Sequence, residues 1–146
     1  MDYVLENCSE SDLDFVFNLK KETMKWYIEK IYGWIDEVQR QKTLKEIKSN
    51  IGNMKIIIKD NEKIGVTTFT DNKSEYIVGL TMISPKFQNK GIATNIINNY
   101  IEKAKQNKKR IIIKTYKENP AQNLYKRLGF KVYDENETHI FLEILN

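Results

Sequence analysis

The chain is poor in the residues that build disulfides and metal centres. Cys8 is its one cysteine and His139 its one histidine among 146 residues. An intrachain disulfide is therefore excluded, a structural zinc site lacks ligands, and a Ser/His/Asp triad would have to use His139. We expect no metal cofactor. The absence of linkers and repeats predicts a single domain over residues 1–146.

Long apolar runs and a strong charge of one sign are also missing. No run approaches the roughly 18–20 residues that a membrane span requires, and the first residues lack the layout of a signal peptide. These absences predict a cytoplasmic protein without a membrane partner. The net charge of +4 is too small to indicate a nucleic-acid partner by itself. The densest basic stretch, residues 103–110, is best interpreted as a solvated helix end and loop.

Hydrophobic periodicity predicts strands and helices in the order β-α-α-β-β-β-α-β-α-β-β. Strands are expected at residues 3–6, 55–59, 64–70, 76–83, 110–116, 131–133 and 138–144. Helices are expected at 13–31, 35–50, 92–106 and 120–128. The helix at 92–106 connects two strands in a β-α-β unit, so those strands should be parallel or nearly so. This order indicates an α+β, or mixed α/β, fold.

The join between strand 76–83 and helix 92–106 is suited to bind an anion. The first amides of a helix have no intrahelical partner, and together with the helix dipole they attract phosphate. Gly91 has no side chain to block an approach to that backbone, and Lys90 adds positive charge. The sequence therefore predicts a pyrophosphate cradle on the amides of residues 89–94. The alternative is a glycine-containing turn that binds nothing.

Two motifs together resemble the GNAT superfamily of acetyl-CoA-dependent N-acetyltransferases. The first is Gln88-x-x-Gly91-x-Ala93, and the second is the segment of residues 119–130, Asn-Pro-Ala-x-x-Leu-Tyr-x-x-Leu-Gly-Phe. The predicted order of elements matches that family from end to end. Two departures stand out: Ala93 replaces a second glycine, and Asn119 lies six residues before Tyr125, where seven is usual. The resemblance implies a central, mostly antiparallel sheet that splays between its fourth and fifth strands.

The resemblance also implies site residues and an acyl donor, acetyl-CoA. Tyr125 matches the general acid that protonates the leaving thiolate. The backbone of the fourth strand would pair with the pantetheine arm, the loop would hold the pyrophosphate, and two asparagines would lie near the pantetheine or adenosine. The residues implied for binding the donor are Thr81, Met82, Ile83, Gln88, Asn89, Lys90, Gly91, Ile92, Ala93, Thr94, Asn119 and Asn123.

The acceptor implied by the resemblance is an amine, carried by a small molecule or a peptide. Its site would lie around the break between the first two helices, and the candidate residues are Tyr27, Glu29, Trp34 and Glu37. For the two glutamates the alternative is a solvated helix surface, and for the aromatic residues it is core packing. No residue is identified as the general base, and His139 is better interpreted as an ordinary strand histidine.

The favoured function is transfer of an acetyl group from acetyl-CoA to a primary amine by direct attack in a ternary complex. Cys8 has no neighbouring histidine or basic cluster to lower its pKa, so no acyl-cysteine intermediate is expected. Two alternatives stay open: a non-catalytic sensor that binds acetyl-CoA or CoA, and a nucleic-acid-binding domain built on the basic stretch. A homodimer is also left open.

Overall fold

The computed structural model describes residues 1–146, and its helices and strands follow the predicted order. The helices are α1 (Leu13–Tyr32), α2 (Asp36–Ser49), α3 (Ile92–Gln106) and α4 (Ala121–Arg127). The strands are β1 (Val4–Asn7), β2 (Met54–Lys59), β3 (Glu62–Asn72), β4 (Glu75–Ile83), β5 (Arg110–Tyr116), β6 (Lys131–Glu135) and β7 (His139–Ile144). Short 3-10 turns cover Glu10–Asp12 and Pro85–Phe87. None of the helices combines the length and the apolar character needed to cross a bilayer.

The strands form a seven-stranded sheet in the order β1-β2-β3-β4-β5-β7-β6. The pairs β1–β2, β2–β3, β5–β7 and β6–β7 are antiparallel. Strands β4 and β5 are parallel, as the β-α-β unit predicts, and their ladder runs from Glu75 paired with Arg110 to Val78 paired with Ile113. The ladder covers only the first four residues of each strand. These features confirm the predicted mixed fold.

The chain divides into two compact units, which are described in turn. Unit one comprises residues 1–68 and 80–92, and unit two comprises residues 69–79 and 93–146. The expectation of a single domain over residues 1–146 stays a prediction.

The core of unit one lies where α1 and α2 pack with the first strands. Helix α1 ends at Gly33, whose φ of 76° is reached easily by glycine alone. Ser9 is the N-cap of the 3-10 turn that leads into α1, and its backbone N–H donates to Asp12 Oδ2 at 2.9 Å. The buried residues of this core are Cys8, Val16, Leu19, Ile47, Met54, Ile56, Val66 and Met82.

The core of unit two is formed by α3, α4 and the strands around β5. The apolar stripe predicted for α3 is confirmed, since Ile97 and Ala104 are buried, with Tyr100 and Ile101 packed against them. The buried residues of this core are Tyr76, Val78, Ile97, Ala104, Ile111, Ile113, Tyr125, Phe130, Ile140 and Leu142.

Arg110, on β5, connects its own strand to three others where the parallel ladder begins. Its Nη1 lies 2.9 Å from Glu75 Oε2 on β4, and its Nε lies 2.6 Å from Glu143 Oε1 on β7. The guanidinium also stacks over the ring of Tyr133 on β6, 4.5 Å from the centroid. A planar guanidinium offers a rigid fork of donors to the carboxylates and a flat face that stacks on an aromatic ring, and a lysine ammonium has neither feature.

The final hairpin differs from its prediction at two boundaries, and the smaller difference is that β7 begins at His139 rather than at residue 138. Strand β6 extends to Glu135, two residues beyond the predicted end. The turn is shorter because Asn136 Oδ1 accepts hydrogen bonds from the backbone N–H groups of Thr138, at 2.9 Å, and His139, at 2.8 Å. An asparagine that bonds its own following backbone closes a turn locally.

Candidate active site

The segment between β4 and α3 is tied back to the strands of unit one. After β4 ends at Ile83, the N–H of Ser84 donates to the carbonyl of Ile64 on β3 at 2.7 Å. Pro85 then opens a 3-10 turn, where its missing N–H costs nothing. The side-chain amide of Gln88 donates to the carbonyl of Ile83 at 2.9 Å. The loop therefore has a defined path before the helix begins.

The backbone of the loop is shaped for a close approach. Asn89 and Gly91 have φ values of 60° and 81°, in the left-handed region that glycine and asparagine tolerate best. Residues 88–91 are exposed, and the first amides of α3 have no carbonyl one turn earlier in the helix. The result is a row of N–H donors without intrahelical carbonyl partners at the positive end of a 15-residue helix, and the residues that lead into it are exposed.

Two lysines add positive charge beside these amides. The Nζ atoms of Lys86 and Lys90 lie 5.4 Å and 5.8 Å from the centroid of the Phe87 ring. Lys86 also pairs with Glu62 at 3.0 Å, whereas the exposed Lys90 lies next to Gly91. The local electrostatics thus favour an anion at the start of α3.

The last residues of β4 lie unusually close to β3. A Cβ placed on Gly65 would lie 2.5 Å from the carbonyl oxygen of Met82. Next to this contact, the hydroxyls of Thr67 and Thr81 are 3.1 Å apart. Sequence reasoning missed Gly65, although a glycine inside a strand pattern is the usual signal of a close backbone approach.

Tyr125 lies in the core of unit two. It is 8% exposed, and its ring contacts Phe130 edge-to-face at 6.1 Å. Burial raises the pKa of Tyr125 to about 12, so the phenol keeps its proton throughout the physiological range. The predicted acid is therefore present in its proton-donating form.

The two asparagines of the second motif have different surroundings. Asn119 Oδ1 accepts a hydrogen bond from the N–H of Ala121 at 2.9 Å, at the start of α4. Asn123 lies one turn later on the exposed side of that helix. The side chain of Asn119 thus helps to begin α4, the helix that carries Tyr125.

The aromatic acceptor candidates are held by contacts within unit one. The indole N–H of Trp34 donates to Asp36 Oδ1 at 2.6 Å, and its ring stacks on Phe17 at 6.2 Å. Tyr27 contacts Trp26 edge-to-face at 5.1 Å. Hydrogen bonds from Trp34 and then Lys21 lower the pKa of Asp36.

The two glutamates among the acceptor candidates lie on the surface of unit one, at the end of α1 and the start of α2. Glu29 is 4.0 Å from Lys25, and Glu37 accepts a hydrogen bond from Gln41 at 3.1 Å. Both side chains are exposed. They are therefore open to a ligand from solvent.

Cys8 is buried in the core of unit one. Cys8 is 3% exposed, and burial, followed by the charge of Asp12, raises the pKa of its thiol to about 11. A thiol in this state is a poor nucleophile at neutral pH.

The basic stretch, residues 103–110, is partly neutralised by ion pairs. Lys109 pairs with Asp71 at 2.6 Å, and Arg110 pairs with Glu75 and Glu143. Fewer of its charges are therefore free than the sequence alone indicates.

Comparison with known proteins decides the family. The model of a family described as "Acetyltransferase (GNAT) domain" matches residues 18–140. This chain belongs to the GNAT acetyltransferases. The GNAT resemblance carried by the two motifs is confirmed. No match was found among curated protein sequences.

Solved structures similar to this GNAT acetyltransferase agree in fold. PaiA N-acetyltransferase from Thermoplasma acidophilum, solved in complex with coenzyme A, is 21% identical over 100% of both chains, with a TM-score of 0.76. An acetyltransferase from Thermus thermophilus is 12% identical over 100% of this chain and 98% of its own, with a TM-score of 0.78. The ribosomal-protein-S18-alanine N-acetyltransferase from Escherichia coli is 13% identical over 98% and 93%, with a TM-score of 0.71.

Proposed function

We propose that this GNAT acetyltransferase transfers the acetyl group of acetyl-CoA to a primary amine by direct attack in a ternary complex. The observation that carries the proposal is the start of α3, where the exposed Gly91, at a φ of 81°, precedes amides that have no carbonyl partner one turn earlier in the helix. A similar structure from T. acidophilum holds coenzyme A, which supports a CoA thioester as the donor. Two of the similar structures are named as N-acetyltransferases, which supports an amine as the acceptor.

The residues at this segment fit a pyrophosphate. A Cβ on Gly91 would meet only the flexible end of Met1, 3.0 Å away, so no rigid part of the fold fills the approach to the loop. The amides of residues 89–94 would bind the phosphate oxygens, and Lys90 would balance their charge. The backbone of Thr81, Met82 and Ile83 would hold the pantetheine arm, in the manner of an added strand.

Catalysis is proposed to depend mainly on positioning, with one acid. When bound, acetyl-CoA supplies an activated acyl group whose leaving group is a thiolate. Tyr125 would donate its phenol proton to that sulfur. Burial raises the pKa of Tyr125 to about 12, and a thiolate leaving in the same dry surroundings is also a stronger base than in water. A backbone N–H of β4 would hold the carbonyl oxygen.

The acceptor is proposed to enter near the end of α1 and the start of α2. The exposed carboxylates of Glu29 and Glu37 would attract a cationic amine, and Tyr27 and Trp34 would contribute apolar contact. Replacing both glutamates by glutamine should raise the KM for the amine by several-fold and leave that for acetyl-CoA unchanged. Equal effects on both constants, or none, would remove these residues from the acceptor site.

Calorimetric titration with acetyl-CoA tests the proposal directly. We expect micromolar binding that weakens with a nucleotide lacking the pantetheine arm, and loss of binding in Gly91→Glu, which adds bulk and negative charge to the loop. Gly52→Glu is the matched control, because Gly52 has a similar φ of 86° with nothing within 4 Å of its Cβ position. Equal affinity of the two variants for acetyl-CoA would contradict the assignment of the loop to the pyrophosphate.

Thiol release distinguishes the enzyme from a sensor. Acetyl-CoA is mixed with a panel of amines: a polyamine, an aminoglycoside antibiotic, free amino acids and peptides with a free N-terminus or lysine. Amine-dependent release of CoA is the expected result. Tight binding of acetyl-CoA without release by any of these amines would favour the sensor.

A further inference from the structure

His139 lies beside the carboxyl end of β5. It is the first residue of β7, and it pairs with Tyr116, the last residue of β5. Their rings are 4.3 Å apart. The parallel ladder ends at Ile113, so β5 continues beyond it to this pair. Ligands of open sheets with parallel strands bind outside the carboxyl ends of those strands.

The side chain of His139 points away from the core that contains Tyr125. Successive residues of a strand face opposite sides of a sheet, and Ile140 enters the core of unit two together with Tyr125. The imidazole and the phenol therefore approach from opposite faces of the unit-two strands. This separation prevents a base at His139 from taking the proton of the acid directly.

A chain of hydrogen bonds orients the imidazole. Asn136 Oδ1 accepts two backbone N–H groups, so it is an oxygen and an acceptor. Thr138 Oγ1 lies 3.2 Å from that oxygen and 2.7 Å from His139 Nδ1. If the hydroxyl donates to Asn136 and accepts from Nδ1–H, all three groups are satisfied. If the hydroxyl instead donated to Nδ1, Thr138 Oγ1 and Asn136 Oδ1 would face each other with no proton between them. The proton of the neutral ring is therefore on Nδ1, and the lone pair is on Nε2.

The surroundings keep this ring neutral at physiological pH. Burial first, and then the positive charge of Lys114, lower the pKa of His139. The titratable side chains around it are Lys114 and Tyr116 on β5, and the ion pair of Lys117 with Glu135 at the neighbouring strand ends. A neutral imidazole with a lone pair on Nε2 is able to accept a proton.

We propose that His139 is the general base of the acetyl transfer, receiving the acceptor's proton on Nε2, and that Thr138 is the residue that positions its ring. This proposal rests on the proposed function. The cationic amine first gives one proton to solvent, and the neutral nitrogen then forms its bond to the acetyl carbon as the carbon–sulfur bond breaks. The nitrogen becomes acidic as it bonds, and its proton goes to Nε2, while the sulfur takes the proton of Tyr125. Solvent then returns the imidazole and the phenol to their starting states.

The tautomer can be measured in the unmodified protein. Because His139 is the only histidine, the imidazole signals in a ¹⁵N–¹H spectrum need no assignment. We expect the proton of the neutral ring on Nδ1, and a change in the Nε2 shift when acetyl-CoA is added. A neutral ring protonated on Nε2 would overturn the proposal, whether or not any variant folds.

Kinetics test the role of the base. His139→Asn keeps an N–H donor toward Thr138 but lacks Nε2, so kcat should fall about 100-fold, as is typical when a general base is lost. The acid limb of the pH profile of kcat/KM should disappear, while the calorimetric affinity for acetyl-CoA stays unchanged. Thr138→Val should lower kcat less and shift that limb. Glu137→Gln, on the same exposed turn, is the control and should behave as the wild type.

The outcomes separate the two proposals. Failure of the wild-type protein to bind acetyl-CoA would remove the proposed function, and the base with it. Normal binding and turnover, with an unchanged pH profile in His139→Asn, would overturn the base alone. Binding of acetyl-CoA without reaction of any amine in the panel would favour the sensor and overturn the base together with the transfer.

Discussion

Gln88 and Ile83 are joined by a hydrogen bond across the turn between β4 and α3, with Gln88 Nε2 donating to the carbonyl oxygen of Ile83 at 2.9 Å. The first residue of the Gln88-x-x-Gly91-x-Ala93 motif thus acts on the protein's own backbone. It connects the strand end proposed to hold the pantetheine arm with the loop proposed to hold the pyrophosphate.

Loss of this hydrogen bond should weaken donor binding. Gln88→Leu removes the donor but keeps similar bulk, and a neutral hydrogen bond contributes about 0.5–1.5 kcal/mol, so the Kd for acetyl-CoA should rise by about two- to tenfold. Calorimetry measures the change. Gln106→Leu, on the exposed end of α3, should bind as the wild type does. An unchanged Kd in Gln88→Leu would show that the loop keeps its shape without this bond.

Gly65 should resist even the smallest side chain. Its Cβ would lie 2.5 Å from the carbonyl oxygen of Met82, so Gly65→Ala must push the two strands apart. Overpacking of this kind costs about 1–3 kcal/mol of unfolding free energy, which denaturant titration can measure. The affinity for acetyl-CoA should fall as well.

The control for Gly65→Ala is Gly52→Ala. Nothing lies within 4 Å of the Cβ position at Gly52, so that variant reports only the strain of a positive φ. A Gly65→Ala variant with unchanged stability and unchanged affinity for acetyl-CoA would show that the two strands can separate here without cost.

Removal of the Tyr125 hydroxyl should lower turnover and leave the binding of acetyl-CoA unchanged. Tyr125→Phe keeps the buried ring, so we expect the Kd for acetyl-CoA to stay within about twofold while kcat falls by about 100-fold, a typical contribution of a general acid. Tyr133→Phe is the matched control. An equal kcat in Tyr125→Phe would show that the phenol is not the proton donor.

The pH profile offers a second test of Tyr125. Burial raises its pKa to about 12, so the proton-donating form persists to high pH. The free-enzyme profile should therefore show no loss of kcat/KM from phenol ionisation up to about pH 10, the ordinary pKa of tyrosine. A decline centred well below this value that is absent in Tyr125→Phe would contradict the burial of the group.

Asp12 should make folding sensitive to acid. Its burial alone would raise the pKa, but hydrogen bonds from Lys63 and from the Ser9 backbone outweigh that effect and lower it. A lowered carboxyl pKa stabilises the fold above about pH 4, the ordinary pKa of aspartate, and this contribution is lost as pH falls through the folded-state pKa.

The comparison of Asp12→Asn with Asp2→Asn tests this expectation. Lys63 Nζ lies 2.7 Å from Asp12 Oδ1, and Asp2 is an exposed carboxylate near the same end of the chain. At pH 7, Asp12→Asn should lose about 1.5–3 kcal/mol of unfolding free energy, as expected for a hydrogen bond to a charged group. Its stability should also vary less with pH below pH 4. Identical acid unfolding of the two variants would exclude Asp12.

Much of the fold could be predicted because its signals are local. The stripe of apolar residues from Ile92 to Ala104 predicted α3, and the structure places that helix at Ile92–Gln106. The parallel pairing of β4 with β5 followed from the helix between them. The end of β6 was placed too early, because the run of acidic residues after Tyr133 resembles a turn, whereas Asn136 closes the turn further along.

The sequence by itself determined the order of the elements, the composition of the loop proposed to bind an anion and the presence of a tyrosine in the second motif. Each of these depends on residues a few positions apart. Only the tertiary structure decided that Gly65 lies against Met82, that Arg110 bridges Glu75 and Glu143, and that Tyr125 is buried. These relationships depend on which strands pair and in what register, and that is set by the packing of residues far apart in the chain.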